Sequence, residues 1–197
     1  MSQNVIIIDY GAGNIQSLKF ALSRLGVEAE TSSDVKTIKA ADKVIFPGVG
    51  HAESAMEKLK ETGLHLIIPE LQQPVLGICL GMQLMCRFTE EGPTQGLGIF
   101  DVEVKRFETQ LKVPHMGWNL IKNLKTDLFQ NLPQEAYMYF VHSYYVPLNT
   151  DSIADSDYGC NFCAALKKHN FYGVQFHPEK SSQWGEKILD NFLKLAI

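Results

Sequence analysis

Residues 74–85 read PVLGICLGMQLM, an apolar run that meets a cysteine between two glycines and then resumes. The run predicts a buried strand over 74–78, a sharp turn at Cys79 and a helix that follows at once. Gly77 and Gly81 lie two residues on either side of the cysteine, where the lack of a Cβ relieves the crowding of a strained turn. This succession of strand, turn and helix indicates an α/β fold.

The chain before this stretch alternates short apolar runs with helical patterns. Strands are predicted at residues 4–8, 27–31 and 43–46, and helices at 15–25, at 52–59 and again before Pro74. Asn14 stands where a helix cap is expected, and Gly26 stands where a glycine commonly ends a helix. Because strands that alternate with helices form βαβ units, this half predicts a mostly parallel central sheet flanked by helices.

The second half of the chain is richer in strand patterns. Strands are predicted at 97–107, 118–121, 137–146, 158–166 and 171–176, before a C-terminal helix at 184–196. The aromatic run at 137–145 is interpreted as a central strand, since stacking on nucleic acid would need basic neighbours. We expect additional antiparallel strands in this half and, without repeats or a long linker, a single domain over residues 1–197.

Composition and charge exclude several classes of protein. The chain has 197 residues, 18 basic and 22 acidic side chains and a net charge of −4, which argues against a nucleic-acid surface. Its hydrophobic content of 45% argues against disorder. The apolar run at 5–8 is too short for a signal peptide or a membrane span. We therefore expect a cytoplasmic protein that binds neither nucleic acid nor membrane.

Cys79 is the strongest chemical signal. Its strand–turn–helix context is that of a nucleophile elbow, with cysteine where hydrolases of that geometry carry serine. The positive end of a helix dipole favours a thiolate at this place, and the backbone N–H of Leu80 can serve an oxyanion. The alternative is a small buried hydrophobe, as most free cysteines are.

His177 and Glu179 form a second candidate pair, at the end of a predicted strand. Residues two apart in an extended segment face the same way, so both side chains can project past the sheet edge. A carboxylate beside an imidazole sets its tautomer and stabilises the imidazolium. The alternative is a loop histidine and a solvated glutamate.

Two glycine loops and a cysteine pair have simpler interpretations. Gly11-Ala12-Gly13 lacks the third glycine of a dinucleotide fingerprint, so a tight turn is favoured. The loop at 47–50, PGVG, can expose backbone N–H groups to an oxyanion, or it is an ordinary turn. Cys160 and Cys163 have zinc-knuckle spacing, but no second pair follows at matching spacing, so no metal is expected.

The motifs GICLGMQ at 77–83 and FHPE at 176–179 together resemble the class I, or triad, glutamine amidotransferases. They occur in the family's order, with Cys79 and His177 98 residues apart. Within the family, further stretches resemble the glutaminase subunits that supply ammonia in histidine biosynthesis. These are DYGAGN at 9–14, PGVG at 47–50, PHMGWN at 114–119, FVHSY at 140–144 and PEKSS at 178–182. The resemblance spans nearly the whole chain and implies a flavodoxin-like α/β fold.

The resemblance also implies roles for single residues. Cys79 would attack the side-chain amide of glutamine, with His177 as base and then acid and Glu179 orienting it. The backbone amides of Val49 and Leu80 would form the oxyanion hole. The residues implied in glutamine binding are Gly50, Gln83, Glu91, Ser143 and Tyr144. Those implied at a partner interface are Asn14, Trp118 and Lys180.

The implied partner is a cyclase subunit of (β/α)8 barrel fold, which forms a heterodimer with the glutaminase and consumes its ammonia. No cofactor is implied. Because the Val49 amide would have to rotate to complete the oxyanion hole, hydrolysis is expected to be slow until the partner binds its ribotide. Three alternatives stay open: a paralogous ammonia donor for another synthase, such as nucleotide-sugar amidation; a free-standing γ-glutamyl cysteine hydrolase; and a silent scaffold or metal-binding module.

Overall fold

The structure, a computed structural model, describes residues 3–11 and 13–196; Ala12, in the predicted glycine turn, lies outside the described residues. The first half contains strands β1 (Val5–Ile8), β2 (Glu30–Ser32), β3 (Lys43–Gly48), β4 (Val75–Cys79), β5 (Cys86–Thr89) and β6 (Thr94–Gln95). Its helices are α1 (Ile15–Arg24), α2 (Val35–Lys39), α3 (Ala52–Glu61), α4 (Leu64–Ile67) and α5 (Leu80–Met85), with a 3-10 turn at Ile68–Glu70.

The second half has strands β7 (Phe100–Arg106), β8 (His115–Ile121), β9 (Ala136–His142), β10 (Tyr144–Tyr145), β11 (Ser152–Asp157), β12 (Asn161–Lys168) and β13 (Phe171–Val174). Helix α6 (Ser182–Lys194) follows, and 3-10 turns lie at Asp127–Phe129 and Pro178–Lys180.

A seven-stranded central sheet confirms the predicted fold class. Its strand order is β11-β12-β13-β4-β3-β1-β2. The strands from β13 to β2 are mutually parallel, whereas β11 and β12 are antiparallel additions at one side. Helices α1 and α6 contribute buried side chains to the apolar cluster on one face, and α3, α4 and α5 contribute to the other. Because both faces of the sheet are covered, β1 and β4 are continuously apolar rather than alternating, as is β3 after Lys43.

The second strand is shorter than predicted and begins later. Val27 N–H donates to Leu22 O, and Gly26 N–H donates to Ser23 O, which together close helix α1 in a Schellman motif. Gly26 has φ +77°, as predicted for a glycine at this position. Because Val27 belongs to the end of the helix, pairing with β1 starts only at Glu30.

The third strand is longer than predicted, since it runs through Pro47 to Gly48. Val44 N–H donates to Pro74 O, on the side of β4. Successive N–H groups along a strand point to opposite sides, so the nitrogen of Pro47 points away from β4. The pairing of β1 with β3 ends at Ile45, so no ladder hydrogen bond is lost at the proline. The strand therefore continues to the residue that lies beside Cys79.

The aromatic run was predicted as a central strand, and that prediction is wrong. Strand β9 pairs with β8 in a separate antiparallel ribbon, outside the central sheet. Its inner residues Met138 and Phe140 are buried, whereas Tyr137 on the outer face is 59% exposed. The ribbon thus has one face in the core and one apolar face open to solvent. Strands β5, β6, β7 and β10 form a further small sheet, of which β5 and β6 were not predicted.

None of the helices in the described part of the chain has the length and apolar character needed to cross a membrane.

Candidate active site

Three neighbouring strands of the central sheet meet at its carboxyl edge. Gly48 of β3 pairs with Cys79 of β4, and Val174 of β13 pairs with Ile78 of β4. Parallel strands end at the same edge of a sheet, which is where ligands bind in open α/β folds. The loop after β3, the cysteine turn and the segment around His177 are therefore neighbours in space, although His177 is 98 residues from Cys79.

The turn at Cys79 is strained as predicted. Cys79 has φ +53° and ψ −111°, a conformation that few non-glycine residues adopt. A Cβ on Gly77 would lie 2.9 Å from Met82 N, and a Cβ on Gly81 would overlap the carbonyl oxygen of Phe46. Only glycines allow helix α5 to pack so close to the strands, which confirms their predicted purpose.

His177 and Glu179 form a buried ion pair beside the cysteine. The distance from His177 Nδ1 to Glu179 Oε1 is 2.9 Å, and their side chains are 3% and 1% exposed. The prediction that both project from an extended segment is wrong, since Glu179 lies in the 3-10 turn Pro178–Lys180. The turn itself brings the carboxylate back onto the imidazole.

One nitrogen of the imidazole is left without a partner. Neither His177 Nε2 nor Glu179 Oε2 has a hydrogen-bond partner among the described residues, although both atoms are buried. Because Nδ1 is committed to the carboxylate, Nε2 is the atom of His177 that is available to exchange a proton with another group.

The backbone around His177 is fixed by strand β9. His177 N–H donates to Tyr139 O at 2.9 Å, and Tyr139 N–H donates to Ser181 Oγ at 2.9 Å. The Ser181 hydroxyl donates in turn to His177 O at 2.6 Å. Ser181 is fully buried, and its role was not predicted.

Opposing effects act on the pKa of His177. Burial favours the neutral imidazole, but the sulfur of Cys79 and the carboxylate of Glu179 outweigh it and raise the pKa of His177 to about 10. The site therefore favours a positively charged imidazole.

A cavity of about 310 Å³ opens above these residues. It is lined by Val49, Gly50, Cys79, Leu80, Gln83, Glu91, Pro114, Val141, His142, Ser143, Tyr144 and His177. Every residue predicted to take part in catalysis, oxyanion binding or glutamine binding is on its wall, except Glu179 behind His177. The volume is at the small end of the range for small-molecule sites and suits an amino acid.

Gln83 and Glu91 have hydrogen bonds to the protein as well as to the cavity. Gln83 Nε2 donates to Tyr144 O and to Gln175 Oε1, each at 2.9 Å. Glu91 Oε2 accepts from Ala52 N at 2.9 Å, at the start of helix α3. Burial raises the pKa of Glu91, and the hydrogen bond from Ala52 opposes that effect.

The two predicted oxyanion residues, Val49 and Leu80, both line the cavity beside the cysteine. Leu80 is buried and begins helix α5, whereas Val49 follows strand β3 directly and is 41% exposed. Gly50 has φ +99°, a left-handed conformation that suits glycine. Tyr10 Oη donates to Pro47 O at 2.9 Å, which ties the end of β3 to the core just before this loop.

The residues predicted at a partner interface lie outside the cavity. Trp118 is on the exposed face of the β8–β9 ribbon, 53% exposed, beside Met116 and Tyr137. Lys180 is exposed at the end of the turn that carries Glu179. Asn14 occupies the position before helix α1, but its side chain makes no cap hydrogen bond.

Sequence reasoning missed three residues that the structure places around the cavity. His115 and His142 form a buried pair, with His115 Nδ1 and His142 Nε2 2.9 Å apart. Gln175 is fully buried next to Cys79. All three are polar residues at buried positions of strands or strand ends. In the sequence, they could have been found as polar residues at positions where the strand pattern expects an apolar one.

The other cysteines show no arrangement for a metal. Cys160 is half-buried, and Cys163 is buried in strand β12, where burial raises the pKa of its thiol to about 12. Within residues 3–11 and 13–196, no three histidine, cysteine or acidic side chains cluster as metal ligands would.

Comparison with known proteins agrees with this geometry. The sequence profile of the family "Glutamine amidotransferase class-I" matches residues 6–196. The chain is 60% identical to the imidazole glycerol phosphate synthase subunit HisH of Bacteroides fragilis, over 97% of this chain and 99% of that protein. Identity to the subunit of the same name from Haemophilus influenzae is 50%, over 97% of each chain.

Solved structures with the same fold are more distant in sequence. A putative GMP synthase subunit from Thermoplasma acidophilum superposes with a TM-score of 0.77 at 22% identity, covering 98% of this chain and 93% of that one. PurLQS from Thermotoga maritima gives a TM-score of 0.72 at 18% identity, covering 98% of both chains.

Proposed function

The chain belongs to the class I glutamine amidotransferases, and we propose that it is the glutaminase subunit of an imidazole glycerol phosphate synthase in histidine biosynthesis. It hydrolyses glutamine to glutamate and ammonia. One observation carries the proposed chemistry: Cys79 and His177 face the same cavity, Glu179 is paired with His177 from behind, and His177 Nε2 has no hydrogen-bond partner in the described chain. Residues 1–197 act as one glutaminase domain, and the reaction takes place in the cytoplasm.

The first half of the reaction forms a thioester. Because the site favours a charged imidazole, His177 Nε2 holds the proton of the Cys79 thiol before glutamine reacts, and the sulfur anion attacks the side-chain carbonyl carbon of glutamine. The protonated imidazole then gives its proton to the departing nitrogen, so that the C–N bond breaks and ammonia leaves. Glu179 holds the imidazole by Nδ1 and stabilises its positive charge, which agrees with the raised pKa of His177.

The second half returns the enzyme to its starting state. His177 takes a proton from water, whose oxygen attacks the thioester carbon. The C–S bond breaks, glutamate leaves and the proton returns to sulfur. In both halves the carbonyl oxygen becomes an anion, which the backbone N–H groups of Leu80 and Val49 stabilise. Val49 is exposed beyond the packed end of β3, so its peptide can rotate without disturbing the sheet.

Glutamine binds with its α-amino acid end toward the outer wall of the cavity. Glu91 is the acidic residue on that wall, and its carboxylate attracts the α-ammonium group. Gln83 uses its N–H groups on protein acceptors, so its carbonyl oxygen remains to accept a hydrogen bond from the substrate. Gly50, Ser143 and Tyr144 complete the pocket.

Ammonia passes to a cyclase partner, a (β/α)8 barrel that forms a heterodimer with this chain. The exposed apolar side chains of Met116, Trp118 and Tyr137 on the outer face of the β8–β9 ribbon support a partner surface there. Val141 lies on the same face of strand β9 as Tyr137, and it also lines the cavity, so this surface adjoins the site. Lys180 and Asn14 extend the interface.

Reconstitution tests the proposal. The chain is purified with its candidate cyclase, and glutamate release is measured with and without the cyclase's ribotide ligand. We expect slow release by the chain alone, a rise of about 10-fold or more in the liganded complex, and loss of release in a Cys79→Ala variant. Fast hydrolysis by the isolated chain, unchanged by the partner, would indicate a free-standing hydrolase. Activity with a different synthase in place of the cyclase would indicate a paralogous ammonia donor.

A further inference from the structure

The side-chain amide of Gln175 joins two groups of the proposed active site. Gln175 Nε2 donates to Cys79 Sγ at 3.7 Å, and Gln175 Oε1 accepts from Gln83 Nε2 at 2.9 Å. The residue is fully buried and directly follows β13, the strand that pairs with β4. A buried amide is costly unless it is hydrogen-bonded, and here both of its ends are committed to the site.

The contacts continue from Gln83 to the β8–β9 ribbon. The carbonyl oxygen of Tyr144 accepts from Gln83 Nε2 at 2.9 Å and from His142 Nδ1 at 2.7 Å. His142 Nε2 accepts from His115 Nδ1 at 2.9 Å, and His115 Nε2 accepts from Asn119 Nδ2 at 3.3 Å. Because a carbonyl can only accept, these bonds fix the proton of both imidazoles on Nδ1.

Burial keeps the histidine pair in this uncharged state. It lowers the pKa of His115 to about 4 and that of His142 to about 3. A proton added at His142 Nε2 would face the N–H of His115 and break the chain of hydrogen bonds. At neutral pH the chain from Asn119 to Cys79 is therefore uninterrupted.

On the premise that the chain hydrolyses glutamine, we propose that Gln175 is a positioning residue, which holds the Cys79 sulfur and the Gln83 amide in one fixed arrangement for attack. A hydrogen bond to sulfur strengthens as the sulfur becomes an anion, so it restricts the thiol to the direction in which it reacts. By accepting a hydrogen bond from the second N–H of Gln83 Nε2, Gln175 also leaves only the oxygen of Gln83 for the substrate. The His115–His142 pair fixes the Tyr144 carbonyl, which accepts the other hydrogen bond of Gln83 Nε2.

The test uses the complex with the cyclase and the variant Gln175→Met, which keeps side-chain length and removes both amide contacts. We expect kcat for glutamate release to fall about 10- to 100-fold, as for loss of a hydrogen bond to a charged group. KM rises by a smaller factor, since Gln83 keeps its bond to Tyr144. Gln83→Met, in contrast, raises KM more than it lowers kcat.

Gln73→Met is the matched control. Gln73 is also a buried glutamine, with Nε2 bonded to Ile38 O at 2.8 Å, but it precedes β4 at the opposite edge of the sheet. Gln73→Met removes a buried amide that does not contact the proposed active site, so kcat and KM remain at wild-type values. Equal kinetics of the Gln175 and Gln73 variants would overturn the proposal.

Alkylation gives a readout independent of glutamine hydrolysis. Iodoacetamide modification is followed at the Cys79 peptide by mass spectrometry, with the half-buried Cys160 as reference in the same sample. We expect Gln175→Met to slow alkylation of Cys79 about 10-fold, and Gln73→Met to leave it within about 2-fold. A wild-type rate in Gln175→Met would overturn the proposal.

A second variant and the alkylation rates distinguish failure of this proposal from misfolding and from failure of the proposed function. If Gln175→Met does not fold, Gln175→Asn keeps a buried amide that is one methylene too short to reach both partners, and the same losses are expected. If the wild-type complex releases no glutamate, the proposed function fails, while the alkylation rates still decide whether Gln175 holds the sulfur.

Discussion

Two buried histidines on the wall of one cavity have opposite protonation. His177, at the end of the central sheet, has a pKa raised to about 10, whereas burial lowers the pKa of His142, on the β8–β9 ribbon, to about 3. The difference lies in their neighbours. His177 contacts the carboxylate of Glu179, while His142 bonds to the neutral His115 ring and to a backbone carbonyl.

The charge of the neighbouring groups, and not burial alone, decides whether a buried imidazole is protonated at neutral pH. Desolvation disfavours the charged form at both positions. At His177 the sulfur of Cys79 and the carboxylate of Glu179 overcome that penalty, so the ring can act in turn as acid and as base. At His142 nothing does, so the ring is restricted to a fixed pattern of donor and acceptor.

Removal of the reactive ring should give the largest effect. His177→Asn deletes the proposed base, and we expect kcat/KM for glutamate release by the complex to fall about 10⁴-fold. His169→Asn is the control, because His169 is exposed with φ +54°, a conformation that asparagine tolerates well. It should keep wild-type activity. An activity of His177→Asn within 10-fold of the control would exclude His177 as the base.

A smaller effect is expected when only the charge beside His177 is removed. Glu179→Gln keeps the shape of the side chain, but makes the surroundings of His177 resemble the neutral ones of His142. We expect kcat/KM to fall about 10²- to 10³-fold, and the pKa of His177 to move below that of the wild type. Steady-state kinetics and NMR of labelled histidine rings measure the two effects. An unchanged histidine titration would show that Glu179 does not determine the charge of the ring.

The sequence predicted His177 but not His142, and the reason is physical. The parallel sheet could be predicted from local patterns, because residues 74–85 specify β4 and its turn, and because strands alternate with helices in the first half of the chain. The FHPE motif then supplies a polar pair at a strand end. His142 gains its role from pairing with His115 across the ribbon and from a carbonyl of another strand, and no local pattern specifies such contacts.

Gln175 and the aromatic run show the same limit. Gln175 lies next to a predicted strand end, but only the register of β13 on β4 brings its amide to Cys79. The run at 137–145 has the composition of a central strand, yet β9 forms a ribbon whose outer tyrosine is exposed. Composition gives strand tendency, whereas long-range pairing decides which sheet the strand joins.

The smallest predicted effect concerns stability in acid. A histidine whose folded pKa is lowered contributes stability above the unfolded pKa, about 6.5, and loses it as pH falls toward the folded value. For His142 this loss amounts to about 2 kcal/mol in the free energy of unfolding between pH 6.5 and 4.5. His177 has the opposite sign: its contribution is complete below pH 6.5 and is lost as pH rises through about 10.

Replacement of both ribbon histidines by phenylalanine therefore flattens the acid branch of the stability curve. The rings of Phe107, Phe140 and Phe162 surround this pair, so two phenylalanines find apolar contacts there. Urea unfolding of the chain at pH 4.5, 5.5 and 6.5 measures the slope, which should fall by about one proton per histidine removed. Gln73→Met is the control and keeps the wild-type slope, since it removes a buried side chain but no titratable group. If the double variant also kept that slope, His115 and His142 would be charged in the folded chain, and the contrast between the two regions would not exist.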